Sequence, residues 1–182
     1  MKKILILGAL FVTTIASYAQ GTVTFANNTA TAITNVSGSA PFPKAVVNVA
    51  LYGSTSLGLA NDSSLTLVGN VTNTLATGGI FIGGTRLIGT DSATVTLQVR
   101  AWSGAFATYE AAVAAQQGGN ITILLGTSAK WEQATGGGAN PAQPITGVGR
   151  LTPFTVTAVP EPSSIALGLL GLGAVALFRR KK

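Results

Sequence analysis

The chain has 182 residues and a formal net charge of +6 at neutral pH, although only 9% of its residues are charged. It contains no cysteine and no histidine. This composition excludes disulfide bonds, thiol nucleophiles, thiolate metal sites and the usual histidine general base, and with them most familiar hydrolase chemistry.

Residues 1–19 have the pattern of a secretory signal peptide. Two lysines follow Met1, an apolar run covers residues 4–16, and Ser17-Tyr18-Ala19 has the small-x-small pattern of a cleavage site. We therefore expect export by the general secretion machinery, with signal peptidase cutting between Ala19 and Gln20. An uncleaved membrane anchor is the alternative.

Residues 20–158 form the predicted exported domain, which is long enough for one hydrophobic core and too short to need two. Six of the eleven basic residues lie in the terminal segments, so this domain is nearly neutral. Its basic residues are Lys44, Arg86, Arg100, Lys130 and Arg150, and its acidic residues are Asp62, Asp91, Glu110 and Glu132. Because no basic stripe exists, nucleic acid is rejected as a partner.

Alternation of small polar and branched apolar residues predicts strands with one buried face. The predicted strands cover residues 21–26, 45–52, 64–68, 79–82, 93–102, 120–125 and 153–157. Runs rich in threonine and valine, separated by Gly, Asn and Ser clusters, predict a mainly β, antiparallel, sandwich-like domain.

Two glycine pairs and one long segment are predicted to connect the strands. Gly78-Gly79 and Gly83-Gly84 lack the GK[ST] ending of a phosphate loop, so we expect hairpin turns there. The segment 129–148 is predicted to be mostly loop because it contains three consecutive glycines and two prolines.

One segment has the composition of a short helix. Residues 108–117 are built from good helix formers, Thr108 is a plausible N-cap, and Gly118-Gly119 supply a stop. Glu110 lies favourably in the first turn.

Candidate sites within the domain are few. The four carboxylates, Asp62, Asp91, Glu110 and Glu132, are expected to be turn, cap or solvated residues, and no calcium loop is present. We therefore predict no catalytic residues, no metal site and no cofactor. Trp102, Tyr109 and Trp131 could form an aromatic platform for a sugar ring, although the alternating pattern around Trp102 also predicts a core position.

Residues 159–182 combine three unlike features in a fixed order. The first feature is the motif Val159-Pro160-Glu161-Pro162-Ser163-Ser164, whose prolines favour an extended backbone. The second is an uncharged apolar run over residues 163–178, which overlaps the end of the motif. As a helix, this run would reach roughly 24 Å, slightly less than the usual hydrocarbon thickness, and we predict that it spans the membrane. The basic cluster is Arg179, Arg180, Lys181 and Lys182, which we expect on the cytoplasmic side.

This order resembles the PEP-CTERM sorting signal of surface proteins from bacteria of the Gram-negative type. The resemblance implies recognition by a membrane-embedded exosortase, transpeptidase-like processing near residues 159–163, and a link to envelopes that produce exopolysaccharide. A plain C-terminal membrane anchor is the alternative interpretation.

Together these features predict a non-catalytic cell-surface or extracellular-matrix protein. It would be held transiently in the inner membrane by its tail and then released or attached by the exosortase. The alternative is an envelope carbohydrate-binding protein or a polysaccharide-active enzyme.

Overall fold

A computed structural model of the chain describes residues 20–35, 47–58, 62–75 and 78–158. The strands in these ranges are β1 Gln20–Ala26, β2 Ile33–Thr34, β3 Val47–Ser54, β4 Thr66–Leu67, β5 Thr72–Asn73, β6 Ile82–Thr90, β7 Thr94–Ser103, β8 Leu124–Thr127, β9 Trp131–Ala134, β10 Gln143–Pro144, β11 Phe154–Thr155 and β12 Thr157–Ala158. The helix α1 is Tyr109–Gln117, and short 3-10 turns occupy Thr29–Thr31 and Asp62–Ser64. The predicted signal peptide, the first two residues of the predicted strand 45–52 and the whole segment 159–182 lie outside these ranges.

The largest sheet has the order β12-β8-β7-β3-β4, with β5 also pairing with β3 and β9 with β7. Its two central strands, β3 and β7, are antiparallel and stay in register from Val47 opposite Ser103 to Ser54 opposite Thr96. Both strands are buried along most of their length. Their two faces therefore both lie against other parts of the domain.

The second sheet has the order β10-β1-β6, and β2 pairs with β11. The pair β1 and β6 is antiparallel, whereas β1 with β10 and β2 with β11 are short parallel contacts. Side chains from both sheets join one apolar cluster, in which Val23 and Phe25 of β1 meet Val49 of β3 and Leu97 and Val99 of β7. Burial of this cluster is the main apolar contribution to folding.

The opposite face of the central strands is covered by α1. Tyr52, Trp102 and Ala112 belong to a second apolar cluster, to which Phe106 and Tyr109 are partly buried neighbours. Period-2 alternation along β7 places Trp102 on this face and Leu97 on the other. The helix begins where Thr108 accepts a hydrogen bond from the Ala111 amide, and Gly118 follows its last residue.

The prediction of a mainly β domain with antiparallel sheets and one short helix is confirmed. The helix and the strand 93–102 match the structure to within one residue at each end. No helix in the described ranges is long and apolar enough to span a membrane.

Local predictions were wrong at residues 83–84 and at residues 120–122. Gly83 and Gly84 lie inside β6 and not in a turn, and the ladder with β1 shifts register beside Phe25. Gly83 is needed there because a Cβ would collide with the Phe25 ring. Residues 120–122 form a turn, because the Asn120 side chain accepts hydrogen bonds from the amide and the hydroxyl of Thr122.

The segment 129–148 was predicted to be mostly loop, and most of its residues do lie outside strands, but it also contains two short strands that were not predicted. It contains β9, which pairs with β7 from Thr94 opposite Ala134 to Leu97 opposite Trp131. It also contains β10, which pairs with β1. The pairing partners, which lie far away in the sequence, stabilise strands that the local composition does not predict.

Candidate functional site

A polar network connects α1 to the central sheet. The Arg100 guanidinium forms a 2.7 Å salt bridge with Glu110 Oε1, and the Tyr52 hydroxyl donates to Glu110 Oε2 over 2.8 Å. Arg100 Nε also donates to Gln98 Oε1 over 2.9 Å. The first turn of the helix is thereby tied to strands β3 and β7.

The two partners of the salt bridge differ sharply in exposure. The Arg100 side chain is 5% exposed, whereas that of Glu110 is 57% exposed. The guanidinium lies 4.2 Å from the centre of the Tyr52 ring and 5.4 Å from that of Tyr109. The positive charge is therefore held between two aromatic rings and a carboxylate, which compensate for its loss of water.

The same surroundings affect Tyr52. Burial is the largest of the causes that raise the pKa of this phenol above its ordinary value. The hydrogen bond to Glu110 and the negative charge of that carboxylate raise the pKa further. Tyr52 therefore stays a neutral hydrogen-bond donor. Its oxygen also accepts a 3.3 Å hydrogen bond from the Tyr109 amide.

A groove of about 610 Å³ runs beside this network, between α1 and the strands β3 and β4. Leu65 and Val113 supply apolar walls, and Ser63, Thr66 and Gln117 supply polar groups. Arg100 and Glu110 both line the groove and neutralise each other. The groove therefore presents an amphipathic surface with no net charge from this pair.

Glu110 is the carboxylate found among the described residues that line the groove. Both Glu110 oxygens already accept hydrogen bonds, one from a guanidinium and one from a phenol. No second carboxylate with a described side chain lines the groove, so the paired acid and base of a glycosidase are not assembled there. Within the described ranges, no group of three or more metal-ligating side chains is found.

The structure does not bring the three predicted sugar-contacting rings onto one surface. Trp102 is fully buried and lies edge-on to Tyr109, with 6.2 Å between the ring centres. Trp131 is 6% exposed and belongs to the core between the two sheets. Of the three residues, only Tyr109 lines the groove.

The remaining predicted sites lie at or beyond the edges of the described chain. Gln20, the expected first residue after signal cleavage, is the first residue of β1, and Ala19 lies outside the described ranges. The sorting motif, Val159 to Ser163, and the basic cluster, Arg179 to Lys182, also lie outside them. β12 ends at Ala158, directly before the motif.

Sequence reasoning missed the network and the groove. One signal was available, because Gln98 and Arg100 interrupt a strong apolar strand at alternate positions. Polar side chains on the Trp102 face of β7 indicate that this face meets a polar partner and not a second apolar sheet. Nothing local identified Glu110 as that partner.

The fold and the groove define a small, mainly β domain with one helix-covered face and an amphipathic groove that is lined in part by the Arg100–Glu110 ion pair. The segment directly after this domain matches the family model for the PEP-CTERM protein-sorting motif over residues 158–182. The chain thus carries a PEP-CTERM protein-sorting motif, and the prediction from residues 159–182 is confirmed. Neither the curated proteins nor the solved structures give a match to the chain.

The motif defines the general destination of the protein. PEP-CTERM proteins are exported and sorted to the cell surface, and the motif implies processing by an exosortase. It matches only the C-terminal 25 residues, so it identifies the sorting signal and not the activity of residues 20–157.

Proposed function

We propose that the chain is a non-catalytic cell-surface or extracellular-matrix protein of an exopolysaccharide-producing envelope. Its signal peptide, residues 1–19, exports a sandwich-like β domain, and residues 163–178 hold the precursor in the inner membrane. An exosortase then processes the chain near Val159 to Ser163. The observation that carries this proposal is the match to the sorting motif, which begins where the last strand of the domain ends.

Glu161 is the part of the motif whose chemistry is easiest to test. From the sequence we expect Pro160 and Pro162 to favour an extended backbone on either side of it, so that an enzyme reads its shape and charge with little ordering cost. A simple spacer would need neither the charge nor the rigidity.

We expect Glu161→Ala to abolish processing and to accumulate full-length protein in the membrane of a host that has an exosortase. The domain should remain folded, because the substitution lies outside it. In a host without the enzyme, wild type and variant should look alike. The measurement is the mass of the membrane-held and released forms, and equal processing of variant and wild type would contradict recognition of Glu161.

A second candidate function is carbohydrate binding in the groove. Its walls combine apolar side chains with hydroxyl and amide groups, which suits the apolar faces and hydroxyl rim of a sugar. Because Arg100 and Glu110 neutralise each other, we expect the groove to bind neutral polysaccharides and not acidic ones.

Affinity electrophoresis tests this second candidate. The domain should be retarded in gels that contain dextran and not in gels that contain alginate. Gln117→Ala should weaken the retardation severalfold, because Gln117 lines the groove and is exposed. Thr85→Ala, on exposed β6, is the matched control and should behave as wild type. Equal migration with and without dextran would reject the groove as a site for this sugar.

A further inference from the structure

The two boundaries of the exported domain lie at opposite ends of its sheets. Ala158 of β12 pairs with Leu124, whose amide donates to the Ser103 hydroxyl over 2.8 Å at the last residue of β7. Gln20 pairs with Thr90, beside the Thr135 hydroxyl that bonds to the Thr90 carbonyl. We call these the Ala158 end and the Gln20 end.

The separation of the two ends follows from β7, which joins them. This strand runs from Thr94, opposite Ala134, to Ser103, opposite Val47. Nine steps of about 3.3 Å put the two ends roughly 30 Å apart. That distance is much larger than the thickness of a lipid head-group layer.

The Ala158 end has very little chain between it and the predicted membrane span. Only residues 159–162 separate Ala158 from the apolar run, and fully extended they reach at most about 14 Å. The head-group layer on one side of a bilayer already occupies roughly 5 to 8 Å of this length. With the apolar run in the membrane, residues 159–162 therefore keep the Ala158 end at the membrane surface.

The charge distribution is an independent observation that points to the same orientation. The described segments at the Ala158 end, residues 26–33, 72–75, 78–82, 103–108, 118–124 and 157–158, contain no Asp, Glu, Lys or Arg. Exposed apolar side chains are present there instead, with Ile82 63% and Ile121 45% exposed. Asp91 and Glu132 lie toward the other end, in the β6–β7 turn and in β9.

A surface whose described segments carry no charged side chain can approach a bilayer at low cost. A charged side chain loses hydration when it is pressed against the low-dielectric interior, whereas apolar side chains gain by entering the interfacial region. A domain lying on its side would bring more of its charged residues to the surface.

We propose that, in the membrane-held precursor, the Ala158 end of the domain rests on the outer surface of the inner membrane and the Gln20 end points away from it. The partner of this surface is the lipid bilayer itself. This inference rests on the proposed function, since it requires the tail to hold the precursor in the membrane.

Single cysteines test the orientation cleanly because the chain has none of its own. Ala107→Cys lies at the Ala158 end and Ala139→Cys lies at the Gln20 end, and both alanines are exposed. The full-length chain, purified from a host without exosortase, is labelled with a fluorophore at either position. It is then reconstituted in vesicles of phosphatidylethanolamine and phosphatidylglycerol that carry a nitroxide on the head group.

We expect the nitroxide to quench the Ala107→Cys label several times more strongly than the Ala139→Cys label. Inserting a flexible Gly/Ser linker of about twelve residues between Ala158 and Val159, which adds roughly 20 Å of reach, should remove most of the difference. Circular dichroism of each variant confirms that the comparison is between folded proteins.

Equal quenching of the two labels, or stronger quenching of the Ala139→Cys label, would overturn the proposed orientation. A difference that appears only when exosortase is added to the vesicles would also overturn it, because the partner would then be the enzyme. Failure of the chain to float with the vesicles would overturn the proposed function as well, since the tail would not hold it in a membrane. Flotation thus separates the two kinds of failure.

Discussion

Replacing Glu110 with glutamine should lower the unfolding free energy of the domain by about 2 kcal/mol. The substitution keeps the shape of the side chain and removes the negative charge that Arg100 meets at 2.7 Å. Breaking a buried ion pair commonly costs about 3 to 5 kcal/mol, and the exposure of Glu110 to solvent reduces that figure here. Most of the cost comes from Arg100, whose charge stays buried.

The measurement is urea unfolding of purified residues 20–158, with Glu132→Gln as the control. Glu132 is an exposed carboxylate that accepts a 2.7 Å hydrogen bond from the exposed Gly58 amide, so its variant should change stability by less than about 0.5 kcal/mol. Equal losses of unfolding free energy in the two variants would mean that Glu110 does not stabilise the buried charge of Arg100.

A second measurement on the same variant reports on the network directly. Burial alone would still raise the Tyr52 pKa, but the contributions of the Glu110 hydrogen bond and charge would be lost or reduced. In a spectrophotometric titration of the tyrosines, the latest ionising component should therefore move to lower pH in Glu110→Gln. A titration identical to that of wild type would show that Glu110 does not contact Tyr52 in solution.

The second large effect is expected at Gly79, where alanine should destabilise the domain by about 3 to 5 kcal/mol. This glycine has a φ of +67°, and a Cβ on it would collide with the backbone carbonyl oxygen of Ile33. Its own carbonyl accepts hydrogen bonds from the Ile33 amide at 3.0 Å and from the Asn27 side chain at 2.9 Å. The backbone therefore cannot move away without losing both bonds.

Gly84 offers a matched control for this prediction. Its φ is +76°, but a Cβ there would meet nothing within 4 Å. Gly84→Ala should cost only about 1 to 2 kcal/mol, which is the penalty of the left-handed conformation alone. Thermal unfolding of both variants measures the difference, and equal losses would show that the close approach to Ile33 is absent in solution.

Several parts of this protein could be predicted from short stretches of sequence. The strand β7 and the helix α1 were predicted within a residue of their ends, because alternation over ten residues and a capped run of helix formers are strong local signals. The sorting motif was recognisable because a proline-flanked glutamate, an apolar run and a basic cluster follow one another without interruption.

Other parts depended on contacts between distant residues. The Gly83-Gly84 pair has the composition of a turn, yet it lies in β6 because β1 pairs along it and the Phe25 ring needs the space. The strand β9 likewise exists because β7 offers it a partner. Such pairings are set by the packing of the whole domain, so a local pattern cannot predict them.

The sequence by itself determined the composition, the strand-rich character and the sorting signal, because each is a property of neighbouring residues. Only the tertiary structure placed Glu110 against the buried charge of Arg100, and only it put Gln20 and Ala158 at opposite ends of the sheets. A strand pattern shows which face of a strand is buried but not which strand lies beside it. The groove and the exposed apolar side chains at the Ala158 end follow from those pairings, and therefore from the fold and not from any one segment.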